Sequence, residues 1–342
     1  MKPIITTHNL ATGYRHGGST TTVMSRIDIA LQRGRLTALL GQNGIGKSTL
    51  LRTIAGSQAP IEGEVLLDGR PIAEISRHEL SKLLSLVFTD RTMAGGLTVR
   101  ELVSLGRQPH TGFFGRLDRH DRQVVRQAVE SVGVAHKIDS FVAELSDGER
   151  QKVMIAKALA QETPLIILDE PTAFLDVASR IDTMQLLCRL AHSTGKAILL
   201  STHDVSQALL LADELWVVAD DHSLHCGTTE DVVLSGAMQA MFSSEKVRFN
   251  MLKGDYEVDV PLRGKAVLRC TDAELGYWLS NALRRNGVAI VHNSGSTGCV
   301  LPEIEAKSPV DITVCGTKAS SVAQMITLLD ETLRDSLHSS LT

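Results

Sequence analysis

The stretch Gly41-Gln42-Asn43-Gly44-Ile45-Gly46-Lys47-Ser48 decides the reading of this chain, because G-x-x-x-x-G-K-S is the spacing that builds a phosphate cradle from backbone. It follows the apolar, strand-length run Leu36-Thr37-Ala38-Leu39-Leu40 and precedes Thr49-Leu50-Leu51-Arg52-Thr53-Ile54-Ala55, whose apolar spacing is helical. The motif therefore sits in the strand-loop-helix context that its mechanism requires. Gly41, Gly44 and Gly46 reach backbone angles closed to other residues, so that successive N–H groups converge on an anion at the positive end of the following helix. A nucleoside triphosphate is the expected ligand. Gln42, Asn43, Ile45 and Thr49 complete the loop's binding positions, Lys47 reaches the β- and γ-phosphates, and the Ser48 hydroxyl takes one position around Mg²⁺.

The whole chain sets bounds on what such a loop can serve. Its 342 residues, 43% of them hydrophobic, leave room for about two globular domains. The 35 basic and 39 acidic residues give a formal charge of -4, with no overall basic footprint, so nucleic acid is not an expected partner. The start, Met1-Lys2-Pro3-Ile4-Ile5-Thr6-Thr7-His8, lacks the apolar core of a secretory signal. No stretch approaches the roughly 18 apolar residues of a membrane span, so a cytoplasmic location is expected. The five cysteines, Cys188, Cys226, Cys270, Cys299 and Cys315, are odd in number and scattered without C-x-x-C spacing, as expected of reduced thiols.

Strand-like runs at Leu36 to Leu40, Leu84 to Phe88, Leu165 to Leu168, Ala197 to Leu200 and Leu215 to Val218 alternate with helical patterns. That order predicts an α/β core with a largely parallel sheet over residues 1–245. A helical insertion interrupts it, covering about 77–160. A polar segment around Ser243-Ser244-Glu245-Lys246 then leads into a second unit, residues 246–342, read as a small α/β sandwich. Its strands are expected at Ala266 to Arg269, Val288 to Val291 and Ile312 to Val314. In its first helix Leu275, Trp278, Leu279, Ala282 and Leu283 share a face, with Thr271 and Glu274 as a capping box. The second helix brings Val322, Met325, Ile326, Leu329 and Leu333 together.

The run Leu165-Ile166-Ile167-Leu168-Asp169-Glu170 is an apolar strand ending in two acids, which places carboxylates at the carboxyl edge of a parallel sheet, where ligands bind. Asp169 is expected to hold Mg²⁺, directly or through water. Glu170 points differently and is assigned the general-base role toward an attacking water.

Together these residues resemble the ATP-binding subunits of ABC transporters, over roughly residues 3–240. Leu145-Ser146-Asp147-Gly148-Glu149-Arg150-Gln151 looks like the family's signature sequence, which completes the ATP site of a second subunit. The resemblance implies that Ser146 and the Gly148 backbone contact the γ-phosphate of a partner's nucleotide, so that the cassettes work as a homodimer. Asp147 and Glu149 stand where the commonest form has Gly and Gln; an acid facing a triphosphate repels it, so Asp147 is expected to point away. Pro171-Thr172-Ala173-Phe174-Leu175-Asp176 matches the loop by which the halves of such a dimer touch, with Asp176 its acidic residue. In Leu199-Leu200-Ser201-Thr202-His203-Asp204, His203 resembles the switch histidine that contacts the γ-phosphate and the attacking water. Tyr14 looks like the aromatic that stacks on adenine. Where the family usually has a metal-sensing glutamine, the chain reads Thr89-Asp90-Arg91; Thr89 or Asp90 could offer an oxygen to the metal or its water.

Leu105-Gly106-Arg107-Gln108-Pro109-His110 resembles the branch that imports iron-siderophore complexes, haem or vitamin B12. The resemblance implies a peripheral ATPase at the cytoplasmic face of the inner membrane. It would dock on two transmembrane permease subunits and, through them, serve a substrate-binding protein. The competing expectation is a soluble ABC-type ATPase switch not coupled to transport. For residues 246–342, Gly295-Ser296-Thr297-Gly298 with His292 offers a small anion-binding loop, against the plainer reading of a domain that stabilises the dimer. Cys270, Cys299 and Cys315 lack the spacing of a metal site.

Overall fold

The computed structural model describes residues 2–17, 19–88, 96–112, 115–242, 244, 246–291 and 301–339. Two compact units emerge: Met1–Ser244 with Phe249–Tyr256, and Glu245–Arg248 with Glu257–Thr342.

The first unit is built on a six-stranded sheet in the order Leu224–Thr228, Glu214–Val218, Leu36–Leu40, Ala197–Ser201, Leu165–Leu168, Leu84–Val87. All neighbours are parallel except the first pair. Side chains alternate across a strand, and here both faces are covered, which is why the strands read as unbroken apolar runs. Ala38, Leu40, Ile166, Leu168, Ile198 and Leu200 join one core, with Val99–Ser104, Arg119–Ser131, Asp147–Ala160 and Val177–Thr194 packed over it. Leu39, Leu165, Ile167, Leu199 and Trp216 join the other, covered by the helix Lys47–Ile54 and an antiparallel sheet. That sheet runs Ser19–Ile27, Ile5–His16, Glu62–Leu67, Arg70–Pro71, with Ala30–Leu31 also paired to Ile5–His16. The α/β cassette core with a helical insertion is as expected. Phe88, expected to end a strand, lies beyond Val87 and is partly exposed.

The motif Leu105 to His110 has a packing function in this fold. It forms a 3-10 turn against the carboxyl end of the helix Asp147–Ala160. A methyl group at Gly106 would collide with the Lys157 carbonyl oxygen, so only glycine permits this approach. The buried Arg107 donates through Nε to Asp121 at 2.8 Å and through Nη1 to the Ala160 carbonyl at 2.7 Å and to Glu162 at 2.6 Å. Burial alone would raise the Asp121 pKa; the Asp118 backbone N–H and the Arg107 guanidinium outweigh it and hold it below the usual carboxylate range.

Beyond Ser244 the chain re-enters the first unit. Phe249 is buried in the helical-side core, and Tyr256 donates to the Met238 carbonyl at 2.5 Å with its ring edge-on to Phe242 and Phe249.

The second unit is a two-layer sandwich, with strands in the order Val288–Ile290, Gly264–Cys270, Glu303–Ser308, Asp311–Val314, Thr317–Ala319. The helices Ala273–Arg285 and Val322–Ser339 pack on Ala266, Ile304, Ala306, Ile312 and Val314. Lys265, Arg269, Glu305, Lys307 and Lys318 alternate with these inward residues and remain exposed. Two expectations are corrected here. The first helix is capped by Asp272, which accepts from the Leu275 N–H at 3.0 Å, and not by a Thr271–Glu274 box. Trp278, expected on the same face as the buried Leu279, Ala282 and Leu283, is 68% exposed, so the buried stripe is narrower than the full apolar set. Among the described residues Cys188, Cys226, Cys270 and Cys315 are free. His292, Gly295 to Gly298 and Cys299 lie outside the described residues.

Gly106→Ala should lower the melting temperature, with an overpacking loss of about 1–3 kcal/mol. Arg107→Leu should cost about 3–5 kcal/mol at neutral pH by stranding the Asp121 carboxylate. The folded Asp121 has a lowered pKa, so its contribution is complete above the unfolded value of about 3.9 and is lost as pH falls through the folded value. The deficit of Arg107→Leu should therefore shrink in denaturation measured at acid pH.

Candidate functional site: a phosphate loop at the carboxyl edge of the sheet

Parallel strands deliver their carboxyl ends to one edge, and here that edge carries Gly41 after Leu40, Asp169 after Leu168 and Thr202-His203 after Ser201. Gly46, with φ of 113°, turns the chain into the helix Lys47–Ile54; a Cβ there would press 2.5 Å from Val23. Lys47 is 6% exposed and donates to the carbonyls of Gly41 at 2.8 Å and Gln42 at 3.1 Å. Burial pushes the Lys47 ammonium below its ordinary pKa, while the Glu170 and Asp169 carboxylates oppose that shift. The Ser48 hydroxyl donates to Asp169 Oδ1 at 3.3 Å. Thr49 pairs with the Tyr14 hydroxyl at 2.6 Å. Two of the expected loop side chains are engaged elsewhere. The Gln42 side chain turns to Asp220 at 3.1 Å and the Met241 carbonyl at 2.9 Å, and Ile45 is buried in the core.

Glu170 Oε1 stands 3.9 Å from Lys47 Nζ, and its Oε2 lies 2.7 Å from His203 Nδ1. Glu170 has φ of 50°, a left-handed conformation that a non-glycine residue holds only when its surroundings enforce it. Ser201, absent from the sequence reading, lies between the two acids: its hydroxyl donates to Asp169 Oδ1 at 2.6 Å and accepts from the Glu170 N–H at 2.9 Å. The only signal for it was a serine ending an otherwise apolar strand, Leu199-Leu200-Ser201. A cavity of about 920 Å³ opens over these groups, lined by Tyr14, Asn43, Gly44, Gly46, Lys47, Ser48, Thr49, Glu170, Ala173, Phe174 and His203. That volume falls within the ~300–1,000 Å³ of small-molecule sites.

The family model for ABC transporters matches residues 24–173. Ferric enterobactin transport ATP-binding protein FepC of Escherichia coli is 35% identical over 65% of this chain and 82% of its own length. The chain belongs to the ABC transporter ATP-binding family. Iron(3+)-hydroxamate import ATP-binding protein FhuC of Bacillus subtilis is 35% identical over 70% of this chain and 87% of its own. Among solved structures, an inward-facing putative metal-chelate type ABC transporter aligns with a TM-score of 0.61 at 28% identity, covering 75% of this chain and 96% of that one. A dimeric bacterial ABC transporter cassette aligns at 0.57 and 26%, covering 66% and 98%.

In this ABC ATPase Ala173 and Phe174 of the dimer loop line the cavity, whereas Ser146, Gly148 and Asp176 are not part of its wall. Ser146 caps the helix Asp147–Ala160 in a reciprocal box with Glu149. Asp147 is held by Arg150 at 2.9 Å. Asp176 caps Val177–Thr194 through the Ser179 N–H at 2.9 Å, and its other oxygen accepts from the Ser179 hydroxyl at 2.8 Å. Gly148 is buried where a Cβ would lie 2.8 Å from that hydroxyl, so the two helix starts abut. Thr89 and Asp90 lie outside the described residues.

The donors Ser48 Oγ and Asp169 Oδ1 are hard oxygens, 3.3 Å apart. Among the described residues no cluster of three or more His, Cys, Asp or Glu is placed to cage a metal. A sparse oxygen set fits Mg²⁺, which takes one or two protein ligands and completes its shell from phosphate and water. Lys47→Ala should abolish thermal stabilisation by ATP, which for the wild-type chain at a hundredfold excess over Kd should reach about 2.7 kcal/mol.

Proposed function

We propose that this ABC ATPase powers an importer of iron-siderophore complexes, haem or cobalamin, acting as a homodimer on two transmembrane permease subunits at the cytoplasmic face of the membrane. The observation that carries the catalytic part is the convergence of Lys47, Ser48, Glu170 and His203 on one cavity, with Asp169 hydrogen-bonded to Ser48 behind it. The importer branch is supported by the Leu105 to His110 motif and by the siderophore-transport relatives. No helix of the described residues is long and apolar enough to cross a membrane, so permease subunits would supply the path. A substrate-binding protein would reach the ATPase only through them.

Each residue has a defined task in this reading. Lys47 and the loop N–H groups orient the β- and γ-phosphates, and Tyr14 offers its ring to adenine. Ser48 and Asp169 would hold Mg²⁺, whose charge would offset that of the phosphates. Glu170 takes the proton of the attacking water, and His203, hydrogen-bonded to that carboxylate, orients it and the γ-phosphate. Ser146 and the Gly148 backbone cap the nucleotide of the partner subunit, and Asp176 lies in the loop between the halves. Asp147 is turned to Arg150, which keeps its charge from the triphosphate.

Glu170→Gln should reduce ATP turnover by at least about a hundredfold while ATP binding persists, and should accumulate as a dimer in Mg-ATP. Sedimentation of that variant alongside phosphate release provides both readings. Affinity purification of the wild-type chain from membranes should recover a polytopic partner. Recovery of ribosomes or DNA in its place would overturn the transport reading.

A further inference from the structure

We propose that Ser201 is a positioning residue for ATP hydrolysis, setting the distance and angle between the Asp169 and Glu170 carboxylates through one hydroxyl. The proposal rests on the reading of Asp169 as metal ligand and Glu170 as base. Strand register brings the groups together: Leu168 pairs with Leu200, so the next residues, Asp169 and Ser201, face each other where the strands end. Asp169 continues the parity of Leu165 and Ile167, and Ser201 that of Ala197 and Leu199, all on the side that carries the helix Lys47–Ile54. The Asp169 carboxylate thereby reaches both Ser48 and Ser201 through Oδ1.

The hydroxyl has one proton, and its use is determined. The Glu170 N–H occupies an oxygen lone pair at 2.9 Å, which leaves the Ser201 proton for Asp169 Oδ1 at 2.6 Å. Ser201 is fully buried, so water does not substitute for either bond. An unbroken strand would send residue 170 to the opposite face from Asp169. Glu170 instead turns through φ of 50°, and its carboxylate reaches Lys47 and His203. The bond from its N–H to Ser201 holds that turn. His203, two residues further along the same chain segment, holds the carboxylate end. Glu170 is therefore gripped at both ends from one strand terminus, and Ser201 grips the end that also fixes Asp169.

The test uses the full chain with Ser201→Ala and Ser201→Cys, the second keeping the volume while replacing the hydroxyl by a weak donor. Both should lower kcat by about tenfold to a hundredfold, with KM and the Kd for ATP within about threefold of wild type. The Mg²⁺ concentration for half-maximal rate should rise at least about threefold, because Asp169 loses its restraint. A general loss of structure would instead weaken ATP binding in proportion. Retention of kcat within about threefold in either folded variant overturns the proposal, as does a parallel loss of ATP affinity, or failure of both variants to fold. Glu170→Gln in the same assay separates the two claims. If it retains turnover, the assignment of the base fails; if it is inactive while Ser201→Ala is not, only the role of Ser201 fails.

Discussion

Everything at the nucleotide edge depends on burying the parallel strands on both faces. Leu36–Leu40 lies between Glu214–Val218 and Ala197–Ser201, with Leu165–Leu168 one strand further on, and each is shielded above and below. A sheet so enclosed has no solvent-facing side on which polar groups could stand, so its chemistry is confined to the ends of its strands. The strands also lock register against one another, and a one-residue slip in any of them would turn Asp169 or Ser201 to the wrong face.

That confinement places opposite charges in a poorly hydrated corner. Lys47 is nearly buried, which lowers its pKa, and the acids that follow Leu168 oppose that shift. The same acids would repel each other without Lys47, Ser201 and His203 beside them. The arrangement is an electrostatic group whose members hold their geometry jointly, as catalysis by preorganised charge requires. A second group does structural work at the far end of the signature helix, where Arg107 is encircled by Asp121, Glu162 and the Ala160 carbonyl. The motif that suggests an importer branch thus earns its sequence through packing, since Gly106 and Arg107 together seat that helix.

The phosphate loop, the acidic strand and the core strands were legible because doubly covered strands write themselves as apolar runs and because the loop's glycines are set by backbone geometry. The antiparallel sheet was not legible: Ser19–Ile27 carries exposed threonines, Ile5–His16 buries Thr7 and Thr12, and their pairing shifts register between Leu10 and Thr12 and again before Gly13. Leu224–Thr228 escaped notice for a related reason, being a polar edge strand paired on one side. Ser201 could not be found from spacing, because its role arises from register between strands more than thirty residues apart. In the second unit, the Thr271–Glu274 pattern was displaced by one residue because Asp272 supplies the acceptor for the Leu275 N–H. Trp278 shows that apolar residues at helical spacing need not all reach the core, since Leu279, Ala282 and Leu283 alone of its face are buried.

The return of the chain at Phe249–Tyr256 bears on how this architecture tolerates cutting and joining. A shortened cassette stopped at the polar stretch near residue 244 would forfeit Phe249 from its interior and Tyr256 from the Met238 carbonyl, leaving Phe242 without its aromatic neighbour. The chain passes between the two units three times, so grafting the sandwich to another cassette would require transplanting Phe249–Tyr256 as well.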